Sequence, residues 1–275
     1  MSIDPQESPE AEVRRWAAAF DGMATAYDQS GVPFYGTIAQ GLVDHLAIAP
    51  GERVLDLGAG RGAVTLRAAE LVGPTGRVEA LDIAPTMVEL TARAARERGL
   101  DQVHVRVGDA TDPGGVPGSY DVLAASLVVF FLPDPEEALR GWLPLLAPGG
   151  RLGLSTFRPW PPSWRAVVDA FLEHAEPTGR PAPTDMPAVF ADDDAVADLV
   201  ARAGGRGVRT EVATYDVPFT DLDQWRVWSL GTVLRGLWFR TAEEAHPAIL
   251  ARVGEILDAN DGRLEVSVRY TLATA

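Results

Sequence analysis

The stretch Val54–Gly62, "VLDLGAGRG", decides the fold, because an apolar run turns there abruptly into glycines. "RVLDLG" reads as a buried strand, and the periodicity from Gly62 to Val72 reads as a helix. Gly58, Gly60 and Ala63 satisfy the G-x-G-x-x-A spacing of a dinucleotide-binding turn. The same glycines equally suit a turn that holds a cationic adenosine cofactor. The motif alone does not choose between them, so its surroundings must.

Working outward, strands and helices alternate. "RVEALDI" predicts a second strand, and the helix after it opens at Pro85 and closes at Gly99. "VHVRVGDA" and "DVLAASLVV" predict the third and fourth strands. Asp134-Pro135-Glu136-Glu137 starts a helix reaching "LAPGG", and "RLGLSTF" is the fifth strand. Strands separated by helices indicate a parallel sheet covered on both faces, an α/β fold. Upstream, two amphipathic helices are expected near 11–27 and 37–48. Downstream, residues 158–191 hold an apolar helix and the proline-dotted loop "EPTGRPAPTDMP". A strand is expected near 208–217, an apolar helical segment over 220–239 and another helix around 249–257. In "LEVSVRYTLATA", Leu264, Val266, Val268, Tyr270 and Leu272 alternate with polar residues, predicting a strand buried on one face. The whole chain reads as a single domain, 1–275. Residues 1–50 cover the cofactor, 51–157 form the core, 158–191 and 221–260 are lid insertions, and 192–220 and 261–275 complete the sheet.

Composition narrows the chemistry. The 275 residues include no cysteine, and all 24 basic residues are arginines. Thiolate metal sites, a cysteine nucleophile, a lysine Schiff base and a Walker-type lysine are thereby excluded. A short-chain reductase, which pairs tyrosine with lysine, loses its base by the same count. A net charge of −15 argues against nucleic acid and anionic membranes as partners. The four histidines, His45, His104, His174 and His246, lack metal-binding spacing, and no metal is expected. The Asp192–Asp194 run reads as a helix cap. No apolar segment suggests a signal peptide or membrane span, so a cytoplasmic protein, monomer or homodimer, is expected.

Asp56, Asp82 and Asp109 follow the first three strands at intervals of one βα repeat. Ligands of open parallel sheets bind beyond the strands' carboxyl ends, so one crevice is expected to hold all three. A pyrophosphate would be repelled by these acids, whereas a sulfonium and an ammonium tolerate them. Each carboxylate suits a part of S-adenosylmethionine. Asp56 would support the turn and the cationic amino-acid end, Asp82 would accept from the ribose hydroxyls, and Asp109 with Ala110 would take the adenine amino group. Ile83 and Met87 would sandwich the adenine ring.

In combination, "VLDLGAGRG", "VEALDIAPTMV", "VRVGDAT", "YDVLAASLVVFFLPDPEEAL" and "LLAPGGRLGLSTF" resemble the class I methyltransferases, over roughly residues 16–157. Within them the likeness is to the group that includes the ubiquinone/menaquinone C-methyltransferases. The resemblance implies a Rossmann-like seven-stranded sheet with helical insertions as a substrate lid. By position it implies cofactor residues Gly58, Ala59, Gly60, Asp82, Ile83, Met87, Asp109, Ala110 and Ser126, with Tyr27 over the methionine end. The chain departs from the quinone enzymes after Tyr27-Asp28, where "QSGVPFYG" follows.

The expected reaction is methyl transfer to oxygen or carbon of a small hydrophobic metabolite, in secondary-metabolite biosynthesis. The alternatives are quinone C-methylation, or a protein that binds S-adenosylmethionine but acts as a cyclase or regulator. Candidate bases are His174, His45, Tyr35, Tyr27 and Glu173, with His174 and Tyr35 foremost. Tyr35, Phe130, Trp160, Trp164, Trp225 and Trp228 are candidate acceptor contacts. Arg158, Arg165, Arg226 or Arg235 could meet an acidic group on the acceptor.

Overall fold

The computed structural model describes residues 8–176 and 187–275. Seven strands form one sheet in the order β3-β2-β1-β4-β5-β7-β6. They are β1 (Arg53–Leu57), β2 (Arg77–Asp82), β3 (Val103–Val107), β4 (Tyr120–Ser126), β5 (Leu146–Phe157), β6 (Arg206–Pro218) and β7 (Arg263–Thr274). The first five are parallel, and β7 runs antiparallel between β5 and β6. The strand order reverses at β1, which pairs with β2 on one side and β4 on the other. A crevice therefore opens beyond the carboxyl end of β1, at the end of the quoted motif.

The alternation of a strand distributes β1 between two cores. Val54, Val78 and Val122 pack with Leu42 and Leu46 of α2 (Tyr35–Leu46) and Ala68 and Val72 of α3 (Ala63–Val72). Leu55, Leu57 and Leu123 face the other way, against Leu139 of α5 (Pro135–Trp142) and Val196 and Val200 of α7 (Asp193–Arg202). The insertions α6 (Pro162–Leu172), α8 (Leu222–Leu230), α9 (Arg235–Trp238) and α10 (His246–Asp258) extend the first core through Trp164, Phe171, Trp225, Leu237 and Val253.

Three elements depart from expectation. β4 stops at Ser126, short of "LVV", because Leu127 adopts a left-handed backbone (φ 58°) held by Ser155. The 220–239 segment divides into α8 and α9 at Gly231, where a side chain would collide with the carbonyl oxygen of Ala26. β7 alternates only over its first half. Arg269, Thr271 and Ala273 are also buried, since α7 and the turn before it cover the second face. Most of the loop "EPTGRPAPTDMP" lies outside the described residues.

The first helix, α1 (Pro9–Met23), ends earlier than expected, and Tyr27 occupies the turn after it. Asp192 caps α7 by accepting from Ala195 N–H at 2.9 Å, as its sequence position predicts. Asp193 instead pairs with the fully buried Arg269 and with Arg158.

Candidate cofactor and acceptor site

Each loop beyond β1, β2, β3 and β4 contributes to one cavity of about 620 Å³, within the size range of small-molecule sites. Gly58 and Gly60 line it from β1, Asp82 and Ile83 from β2, Asp109 and Ala110 from β3, and Ser126 from β4. Met87 joins them from the first turn of α4 (Pro85–Glu97). The remaining walls are aromatic and come from the N-terminal segment, the Val129–Phe131 turn after β4, the end of β5 and the insertions.

The glycines have separate reasons to be glycine. All of Gly58, Gly60 and Gly62 have left-handed backbones, a conformation glycine adopts without strain. A side-chain carbon on Gly58 would also strike Val128 at 2.4 Å, and one on Gly62 would strike Thr91 at 2.8 Å. At Gly60 the nearest obstacle is the Tyr27 ring at 3.8 Å, so this glycine alone leaves room toward the cavity.

Asp82 and Asp56, expected to work side by side, do not. Asp82 borders the cavity while its carboxylate accepts from the backbone N–H groups of Gly60 (2.7 Å) and Ala84 (2.9 Å). Burial pushes its pKa up, against the pull of those hydrogen bonds. Asp56 is not on the cavity wall. It lies sealed beneath the turn, where it accepts from the Thr65 hydroxyl at 2.6 Å, and burial raises its pKa to about 7. The role expected for it at the cationic end of a ligand is thereby corrected: it anchors the start of α3. Ala59 is likewise absent from the wall, being turned into the fold.

Asp109 reaches the cavity and accepts from Thr111 N–H at 2.8 Å. The carbonyl of Ala110 accepts from the Trp142 indole at 2.7 Å, which fixes the loop against the lower core. Ser126 shares a hydrogen bond with Ser155 at 2.9 Å. Tyr27 and Tyr35 stack with ring centroids 4.2 Å apart. Burial drives both phenols upward, so each keeps its proton, which counts against Tyr35 as a base.

Four acceptor candidates, Phe130, Trp160, Trp164 and Trp228, stand on the cavity wall with Tyr35. They form a chain of rings: Phe130 to Phe157 at 5.8 Å, Phe157 to Trp160 at 4.6 Å, Trp160 to Trp164 at 5.0 Å and Trp164 to Trp228 at 5.6 Å. Trp225 is not among them. It is fully buried between Phe171 and Trp238, a core residue. His174 is exposed past the end of α6 and does not line the cavity, which removes it as a base. His45 stacks on Tyr270 and bridges Gly41 and Glu211, a structural post.

Sequence reasoning missed the fastening of α1. Asp21 accepts from Thr86 N–H at 2.8 Å and so supplies the cap that Ala84 cannot give α4. Arg61, inside the glycine turn, donates to the carbonyls of Ala24 and Thr25. Trp16 and Phe20 close over Phe131 at 4.8 and 5.2 Å. Only Arg61 carried a signal, by its place in the motif.

The residues present suit S-adenosylmethionine: carboxylates end β2 and β3, apolar Ile83 and Met87 lie between, and Gly60 leaves space. Residues 48–193 match the family described as a methyltransferase domain. The chain is 35% identical to nocamycin O-methyltransferase of Saccharothrix syringae, over 92% of this chain and 95% of that protein. This chain belongs to the class I methyltransferases. It is also 40% identical to aklanonic acid methyltransferase of Streptomyces sp. (strain C5), over 59% of this chain and 78% of that one. Among solved structures, the methyltransferase superposes on the [4+2]-cyclase SpnF with a TM-score of 0.54 and 20% identity, covering 87% of this chain and 81% of that one. That likeness concerns the fold alone.

Proposed function

We propose that this methyltransferase transfers a methyl group from S-adenosylmethionine to oxygen or carbon of a flat, hydrophobic metabolite in secondary metabolism. One observation carries the proposal: the acid-bearing strand ends and the chain of aromatic rings border a single continuous cavity. Its likeness to proteins named nocamycin O-methyltransferase and aklanonic acid methyltransferase supports a small metabolite as acceptor.

Bound S-adenosylmethionine would supply a methyl group activated by its sulfonium. Asp82 would hold the ribose hydroxyls, Asp109 and the Ala110 backbone the adenine edge, and Ile83 and Met87 the adenine faces. Gly58 and Gly60 would admit the amino-acid portion beneath the Tyr27 ring. Tyr35, Phe130, Trp160, Trp164 and Trp228 would hold the acceptor's faces, and α1 with Phe131 would exclude water. Positioning and a dry site are the main demands of an in-line displacement, and apolar walls serve both.

Incubation with methyl-labelled S-adenosylmethionine and a panel of polycyclic aromatic acceptors tests the proposal. Products one labelled methyl heavier than the acceptor are expected. An acceptor converted without gain of mass would instead support the cyclase alternative.

A further inference from the structure

The titratable side chains bordering the cavity, among the described residues, are unusual in what they omit. There is no histidine, lysine or glutamate. The two carboxylates stand at the cofactor end and are occupied by backbone N–H groups. The two tyrosines are held in their protonated form by burial. None of these groups is placed to take a proton from an acceptor.

The same cavity also bears cations. Arg235, at the start of α9, and Arg240, just beyond its end, both border the cavity. The protein has a net charge of −15, and among the described residues twelve arginines pair with carboxylates, whereas these two have no carboxylate partner there. The Arg235 guanidinium lies over the Phe239 ring, 5.0 Å from its centroid, and Arg240 donates to the carbonyl of Glu176. Two guanidiniums beside an apolar chamber are suited to an anion, because charge-assisted pairing strengthens where water is excluded.

Resting on the methyltransferase function proposed above, we infer that the acceptor is an organic acid whose oxygen is already ionised when it binds. Arg235 and Arg240 hold the bound anion within the cavity, by charge-assisted pairing with its acidic group. The ionised oxygen contributes the electron pair of the new oxygen–carbon bond as the carbon–sulfur bond breaks. That bond's electron pair stays on sulfur, neutralising the sulfonium. No proton moves, so no base is needed, and the product is a neutral methyl ester or enol ether. Opposite charges are consumed together, a change that an apolar site favours over water.

The test compares flat aromatic acids with their neutral hydroxymethyl counterparts, beginning with 2-naphthoic acid and 2-naphthalenemethanol. Binding is measured by tryptophan fluorescence in the presence of S-adenosylhomocysteine. The acids are expected to bind about tenfold more tightly, a preference that falls with added salt. Arg235→Gln with Arg240→Gln should abolish the preference while leaving the thermal shift caused by S-adenosylhomocysteine intact. Arg235→Gln alone should halve it on a logarithmic scale; its guanidinium makes no hydrogen bond to a described residue, so folding is not at risk. An equal or weaker affinity for every acid in the set, or a preference unchanged in the double variant, overturns the inference. Loss of the S-adenosylhomocysteine shift in the unaltered protein would instead remove the methyltransferase proposal beneath it.

Discussion

Asp56 and Asp82 belong to neighbouring strands, and burial raises the pKa of both, yet only Asp82 borders the cavity. The folded protein binds a proton at Asp56 up to about pH 7, whereas an unfolded chain releases it near pH 4. Folding therefore carries extra protons between those values, and stability falls as pH rises from about 4 to about 7, then levels. Asp56→Asn should remove this part of the decline. Unfolding free energies from urea titrations at pH 5 and pH 8 are expected to differ less in the variant, by on the order of 2 kcal/mol. An unchanged difference would show that Asp56 titrates normally. At this scale the sequence placed Asp82, Asp109 and Ser126 correctly at strand ends, because each apolar run marks where its strand stops. It could not separate Asp56 from them, because burial by Thr65 and the turn is a tertiary fact.

Elements frame the cavity through contacts that local sequence does not encode. Asp21 of α1 caps α4 across 65 residues, and α4 in turn presents Met87 to the cavity. Asp21→Ala should cost about 1 kcal/mol of stability, the usual worth of a cap. It should also quicken release of S-adenosylhomocysteine in stopped-flow fluorescence, because α1 loses its fastening. A release rate equal to that of the unaltered protein would mean that α1 does not gate the site. The tryptophans permit a second comparison. The Trp164 indole donates to the carbonyl of Glu265 at 2.7 Å, whereas the buried Trp225 indole has no partner among the described residues. Both lose ring volume on conversion to phenylalanine, but only Trp164→Phe breaks a hydrogen bond. It should be the costlier by about 1 kcal/mol in urea unfolding. Equal costs would indicate that the bond contributes nothing. The helical insertions were legible as apolar segments. Which aromatics face the cavity and which the core was not, since Trp225 and Trp228 both read as apolar helix positions.

At the scale of the molecule, the strand order with its reversal at β1 is a tertiary outcome, but βα alternation made the first five strands and their parallel sense legible. The covered second face of β7 was not, because its buried ion pair depends on Asp193, 76 residues away. Asp193→Ala would leave Arg269 buried without its carboxylate and should cost roughly 3 kcal/mol. A midpoint within error of the unaltered protein would contradict that account of the sheet's outer half.

The central claim is that Asp82 and its neighbours hold S-adenosylmethionine, and thermal unfolding with S-adenosylhomocysteine tests it most directly. At 100 times its dissociation constant a ligand adds about 2.7 kcal/mol, raising the midpoint of a chain this size by roughly 5 °C. The account predicts that shift with S-adenosylhomocysteine, none with NADH or NADPH, and its loss in a folded Asp82→Ala variant. A shift with a nicotinamide cofactor alone, or one that survives Asp82→Ala undiminished, would contradict it.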